Sequence, residues 1–126
     1  MINLHSRYIR NSNRPLNRKH EVKRNMGKIL QINMNYSIPV EDLSKAFMSV
    51  AQPIADMKGL KWKVWLHNAE EKSCGGIYLF KDDDSVKAYL DSDIVKGLAS
   101  NPALRNLSVK VFDVLPDHSK VTRGPL

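Results

Sequence analysis

Residues 60–66 read "LKWKVWL", two tryptophans and two lysines interleaved within five positions. Tryptophan is costly to expose and lysine is costly to bury, so the backbone here has to send the two kinds of side chain different ways. In a strand, successive side chains point to opposite faces, and positions an odd number apart never share one. Trp62 and Trp65 differ by three and fall on opposite faces. That weakens a base-stacking platform for nucleic acid and favours a strand with two unlike faces.

Strand patterns recur on both sides of this stretch. "KILQINMNY" from Lys28 places Leu30, Ile32 and Met34 on one side and Gln31 and Asn33 on the other, the alternation of a half-buried strand. "SIPVEDLSKAFMSVAQPIADMKG" then repeats Val40, Leu43, Phe47, Val50, Ile54 and Met57 at helical spacing. Pro39 with Glu41 and Asp42 suits its first turn, and Pro53 is expected to kink or break it near Gln52. After "LKWKVWLHN", the polar "HNAEEKS" makes a hairpin loop into "CGGIYLFKD". "DDDSVKAYLDSDIVKGLASNPALRN" is helical, with Asp83 or Asp84 as its cap, an interruption at Asp91–Asp93 and a stop at Asn101-Pro102. "LSVKVFDVL" is the fourth strand.

The order is β-α-β-β-α-β, the ferredoxin-like arrangement in the α+β class: a four-stranded antiparallel sheet with its helices on one face. Residues 28–117 form that domain, 1–27 a basic extension and 118–126 a short C-terminal tail. Grouping the strands by hydrophobicity gives an aliphatic face of Leu30, Ile32, Met34, Trp62, Val64, Leu66, Ile77, Leu79, Val109 and Val111, expected under the helices. The other face collects Gln31, Asn33, Lys61, Lys63, Trp65, His67, Tyr78, Phe80, Ser108, Lys110 and Phe112. Rings in that number on an open sheet exceed what monomers usually expose. A homodimer closing two sheets into an α/β-barrel is expected to shelter them, with the lysines at its rim.

The formal charge of +7 is unevenly placed. Residues 1–27 hold seven basic side chains against Glu21 alone, whereas residues 28–126 hold thirteen basic and twelve acidic ones. The domain is therefore nearly neutral and lacks the basic stripe of a nucleic-acid binder. Nucleic acid is expected to meet the chain only through the Arg- and Asn-rich extension, which has no sustained period and is expected to be disordered. Met26 opens directly into the first strand and is read as an alternative start. A single cysteine, Cys74, with scattered histidines provides neither a disulfide framework nor a zinc site. No apolar run approaches membrane-spanning length, so no membrane is expected as a partner and the cytoplasm is the expected compartment.

"LKWKVWLHNAEEKSCGGIYLFKDDDSVKAYL" followed by "VKVFDV" resembles the YdhR family of proposed mono-oxygenases. The likeness spans residues 28–115. It implies the dimeric α/β-barrel of the antibiotic-biosynthesis mono-oxygenases and cofactor-independent oxygenation of a small aromatic compound, phenolic or quinone-like. Such chemistry needs a base, donors for an oxyanion and a slot that excludes water.

Among the residues, His67 is the expected catalytic group, because imidazole ordinarily titrates near neutrality; a solvated histidine at a strand end is the plainer alternative. Asn33, Trp62, Trp65, Tyr78, Phe47 and Tyr89 are the expected substrate-binding residues. Against that stand cross-strand bonding for Asn33, core packing for Trp62, with Phe47 and Tyr89 facing it from the helices, and interface packing for Trp65 and Tyr78. Lys61 and Lys63 read as rim charges with buried stems. No cofactor and no metal are expected. Two other functions fit the same residues: a non-catalytic dimeric module that binds a small hydrophobic ligand or a protein, and non-specific nucleic-acid association through the extension.

Overall fold

The computed structural model describes residues 27–126; the basic extension and the expectations attached to it lie outside the described residues. The chain runs β1 (Lys28–Tyr36), α1 (Val40–Ala55), β2 (Leu60–Asn68), β3 (Ser73–Phe80), α2 (Asp83–Leu90), α3 (Asp93–Ser100), β4 (Leu104–Asp113) and α4 (Pro116–Val121). The four strands form one antiparallel sheet in the order β2-β3-β1-β4. This is the ferredoxin-like topology, with the second helix divided and a short helix added after β4.

Local chemistry accounts for the boundaries. Glu41 and Asp42 occupy the first turn of α1, where the exposed backbone N–H groups favour negative charge. The helix does not stop at Gln52 but passes Pro53 and ends at Ala55, and beyond the proline the Gln52 carbonyl still accepts from the Asp56 N–H. Pro53 sits in the last turn, so the bond it forfeits is one that a fraying end holds weakly. Asp82, rather than Asp83 or Asp84, caps α2: its carboxylate accepts from the Ser85 N–H at 2.9 Å. The interruption at Asp91–Asp93 is present, and Ser92 caps the restarted helix α3.

The register corrects the grouping of the faces. In an antiparallel pair, directly opposed residues share a face. Leu30 opposes Tyr78, Ile32 opposes Gly76 and Met34 opposes Cys74; Lys63 opposes Tyr78, and Trp65 opposes Gly76. The face under the helices therefore carries Leu30, Ile32 and Met34 together with Lys63, Trp65, Tyr78 and Phe80. Tyr78 and Phe80 are buried there, at 1% and 0% exposure. Trp62, Val64, Leu66, Ile77 and Leu79 fall on the outer face beside Gln31 and Asn33. The dimer expected from open Trp65, Tyr78 and Phe80 loses that basis, because helices of the same chain cover them.

A second correction concerns the C-terminal segment. Trp62 Nε1 donates to the Pro125 carbonyl at 2.6 Å. Since β4 and β2 are opposite edges of the sheet, the chain after β4 crosses the whole outer face. Leu79, on that face, is completely buried. The segment read as a polar tail is a strap that covers one end of the outer face.

One corner of the sheet is pinned by charge. Lys28, the first residue of β1 and buried, donates to the Asp113 carboxylate at the end of β4, and Asp83 in the first turn of α2 lies 3.9 Å from the same amine. Among the described residues, no helix is long and apolar enough to cross a membrane.

Candidate functional site

Between the sheet and helices α1 and α3 the packing leaves an inner cavity of about 290 Å³. Helical spacing sets its roof: Leu43, Phe47, Val50 and Ile54 descend from α1, while Ile94 and Leu98 come from α3. Strand alternation sets its floor: Met34, Lys63, Trp65 and Tyr78 project upward from β1, β2 and β3. A second, edge groove of about 350 Å³ opens between α1 and β2, with Phe47, Met48, Trp65 and His67 in its wall. Phe47 and Trp65 line both spaces, their ring centroids 5.0 Å apart in a tilted pair. They are the partition between cavity and groove.

Polar groups in the inner cavity are few. The Tyr78 and Tyr89 hydroxyls bond each other at 2.8 Å on the helix side of the sheet. Burial first, and then the adjacent Tyr89, push the Tyr78 hydroxyl far up from its ordinary range; burial pushes Tyr89 up as well. Both stay protonated and act as structural donors rather than bases. Asp93 and Asn101 stand in the wall on the α3 side. Burial raises the Cys74 thiol, with the Lys63 charge opposing it, so this cysteine is a core side chain of low reactivity.

Besides Ser49 on α1, the lining carries Lys63, which strand alternation sends under the helices rather than to a rim. Its Nζ lies 3.3 Å from the Trp65 ring centroid and 4.4 Å from that of Tyr78. Desolvation lowers its pKa from 10.5 to about 7, against a smaller opposing contribution from Cys74. Gly76, across from Trp65, makes the space: a Cβ there would stand 2.5 Å from Lys63 Cε.

Of the residues singled out in the sequence, Phe47, Trp65 and Tyr78 converge on the inner cavity, and Tyr89 supports it from α2 through Tyr78. His67 is placed in the edge groove, where its Nε2 lies 2.8 Å from the Tyr36 hydroxyl. Asn33 pairs with Gly75 and Ser108 on the outer face, away from both spaces. Trp62 also lies on the outer face, so Phe47 and Tyr89 do not face it. Phe47 instead meets Trp65, and Tyr89 meets Tyr78 and Phe80. Sequence reasoning missed Lys63 as a site residue. The signal was its parity with Trp65, two positions on, which obliges the two to share whichever face is buried. Among the described residues, no group of three or more His, Cys, Asp or Glu side chains is placed to hold a metal ion.

A ferredoxin-like sheet roofed by helices on one face, with an apolar cavity between, is the fold this chain shares with the oxygenase structures named below. Residues 29–125 match the family described as "Putative mono-oxygenase ydhR", and the chain belongs to that family. Its fold is similar to that of SnoaB, a cofactor-independent oxygenase from Streptomyces nogalater, at 14% identity and a TM-score of 0.59 over 71% of this chain and 93% of that one. It is also similar to a "putative antibiotic biosynthesis monooxygenase" from Caulobacter crescentus, at 20% identity and a TM-score of 0.57 over 77% and 98% of the respective chains. A third similar structure is the heme-degrader MhuD from Mycobacterium tuberculosis, at 19% identity and a TM-score of 0.53 over 69% and 95%. At these identities the likeness establishes the fold. Among curated proteins none matches.

Proposed function

We propose that the protein is a mono-oxygenase that binds a small phenolic or quinone-like compound in the inner cavity and oxygenates it without an added cofactor. The observation that carries this reading is the cavity itself: apolar, walled by the rings of Phe47, Trp65 and Tyr78, and supplied with one desolvated amine. Its volume of about 290 Å³ suits one small ring system. Membership of the mono-oxygenase family supports the same class of reaction.

In this scheme the substrate supplies the electrons. Loss of its hydroxyl proton makes the ring electron-rich enough to reduce oxygen directly; one oxygen atom stays in the product and the other leaves as water. The protein contributes an apolar slot that excludes bulk water and fixed rings that orient the substrate. In this reading His67, which lines the edge groove and bonds the Tyr36 hydroxyl, relays protons between solvent and the Phe47–Trp65 partition.

The working form in this proposal is a homodimer. On the outer face Val64 is 53% exposed beside Ile77, and Phe112 is 43% exposed at the β4 edge in the row of Ile29 and Leu79. An apolar sheet surface of that kind is sheltered by a second copy.

The test is oxygen uptake by the purified, metal-stripped protein with a panel of naphthols, hydroxyquinones and anthrones, the products being weighed by mass spectrometry. A product carrying one added oxygen, lost on substituting Trp65 by Ala, is the expected result. Binding of the same compounds with no oxygen uptake would instead make the protein a ligand-binding module.

A further inference from the structure

Lys63 is a half-buried amine without a carboxylate partner: among the described residues, none lies within 4.0 Å of its Nζ. Structural lysines that enter a protein usually find an acid, as Lys28 does with Asp113 and Asp83. Lys63 finds only ring faces, which attract a cation weakly and a neutral amine less. Space for it has been made by a glycine on the neighbouring strand rather than filled. The titratable groups around it are Cys74 and Tyr78 on β3, both held neutral by burial, and Asp93 in the first turn of α3 across the cavity. Helix α1 contributes no titratable side chain to the lining.

We propose that Lys63 takes the hydroxyl proton of the substrate and then holds the oxyanion it has created, and that the substrate is an acidic phenol or enol, a hydroxyl conjugated to a carbonyl group. The substrate class rests on the oxygenase reading. In the step, the Nζ lone pair forms an N–H bond, the O–H bond breaks and its electron pair stays on oxygen; no electron leaves the substrate. The ammonium and the oxyanion remain paired in a half-buried site, where water screens them less than in bulk.

Acidity selects the substrate. Proton transfer is most effective between groups of matched acidity near the working pH. Desolvation brings the amine to about 7, whereas an unconjugated phenol titrates near 10, as tyrosine does. A conjugated carbonyl delocalises the negative charge and closes that gap.

The test uses 4-nitrophenol as the probe, because its phenol and phenolate differ in visible absorbance. It is titrated without oxygen into the whole protein, into Lys63→Met and into Lys63→Arg. With the native protein, the bound probe is expected to ionise at least one pH unit below the free probe. In Lys63→Met that shift should vanish and affinity at pH 6 should fall roughly tenfold or more, about 1.4 kcal/mol per decade. Lys63→Arg keeps a cation and should keep part of the shift. Failure of the native protein to bind the probe, or an ionisation shift that survives in Lys63→Met, overturns the proposal; if Lys63→Met does not fold, loss of the shift in Gly76→Ala, whose Cβ displaces the lysine, is the required result. Because oxygen is absent, the oxygenase reading is judged separately. A lysine-dependent shift without turnover in air would leave this assignment standing and remove that reading, whereas turnover in Lys63→Met with an unaltered pH profile would do the reverse.

Discussion

The hydroxyls of Tyr78 on β3 and Tyr89 on α2 meet 2.8 Å apart in the interior, and both side chains are essentially shielded from solvent. Each satisfies the other, and together with Phe80 they form a ring cluster with centroid spacings of 5.0–5.9 Å. That cluster joins the divided second helix to the sheet and supports the cavity floor.

Removing one hydroxyl leaves the other buried and unpaired. Tyr89→Phe should therefore cost about 1–3 kcal/mol of stability. The double change Tyr78→Phe with Tyr89→Phe should cost clearly less than the sum of the two singles, since no orphan remains. Urea unfolding of the four proteins measures this; strict additivity would mean that the two hydroxyls do not depend on each other.

Lys63 gives stability a pH dependence whose sign is fixed. Its folded pKa, about 7, lies below the unfolded 10.5. Between those values the unfolded chain binds the proton and the folded chain does not, so stability rises with pH. The slope is at most about 1.4 kcal/mol per pH unit, less where water reaches the amine. Above about pH 9 the raised Cys74 thiol and the two raised tyrosines act in the opposite sense, because the folded state then holds protons that the unfolded chain releases. The rise belongs to pH 7–9, and Lys63→Met should flatten it in denaturant titrations across that window.

Deleting residues 116–126 removes the Pro125 acceptor of Trp62. Uncovering one large aliphatic side chain of the outer face would cost about 1.5–3 kcal/mol. In a Trp65→Phe background, the emission of Trp62 should shift to the red on truncation. Unchanged emission and unchanged melting would show that the strap is dispensable.

Val64→Asp and Phe112→Asp place charge on the outer face and touch neither cavity nor groove. Each is expected to convert the proposed homodimer to a monomer by native mass spectrometry while leaving circular dichroism intact. A native protein of monomeric mass would sink the paired form outright.

The topology was legible because each element carries its own signal. Leu30, Ile32 and Met34 alternate, Leu43, Phe47, Val50 and Ile54 recur at helical spacing, and Asn101-Pro102 punctuates. What could not be read was which strand faces go together. β3 is apolar on both sides, with Tyr78 and Phe80 on one and Ile77 and Leu79 on the other, so its alternation is silent about how it meets β1. That register is set by long-range pairing, and slipping it by one residue turns every side chain over. The error moved Trp65 and Tyr78 to the wrong side and Lys63 with them. The site followed the same rule: Phe47, Trp65 and Tyr78 were visible as rings, but Lys63 among them became visible only once Lys63 was seen to oppose Tyr78. The strap had no sequence period to announce it, being a single hydrogen bond and a few contacts.

That strap makes the sheet's exterior lopsided. One end is already occupied by the molecule's own chain, so a two-fold axis of the proposed homodimer would pass nearer Val64 and Ile77 than Leu79. Two such sheets would meet staggered instead of eclipsed, with the helices of each copy pointing away from the other.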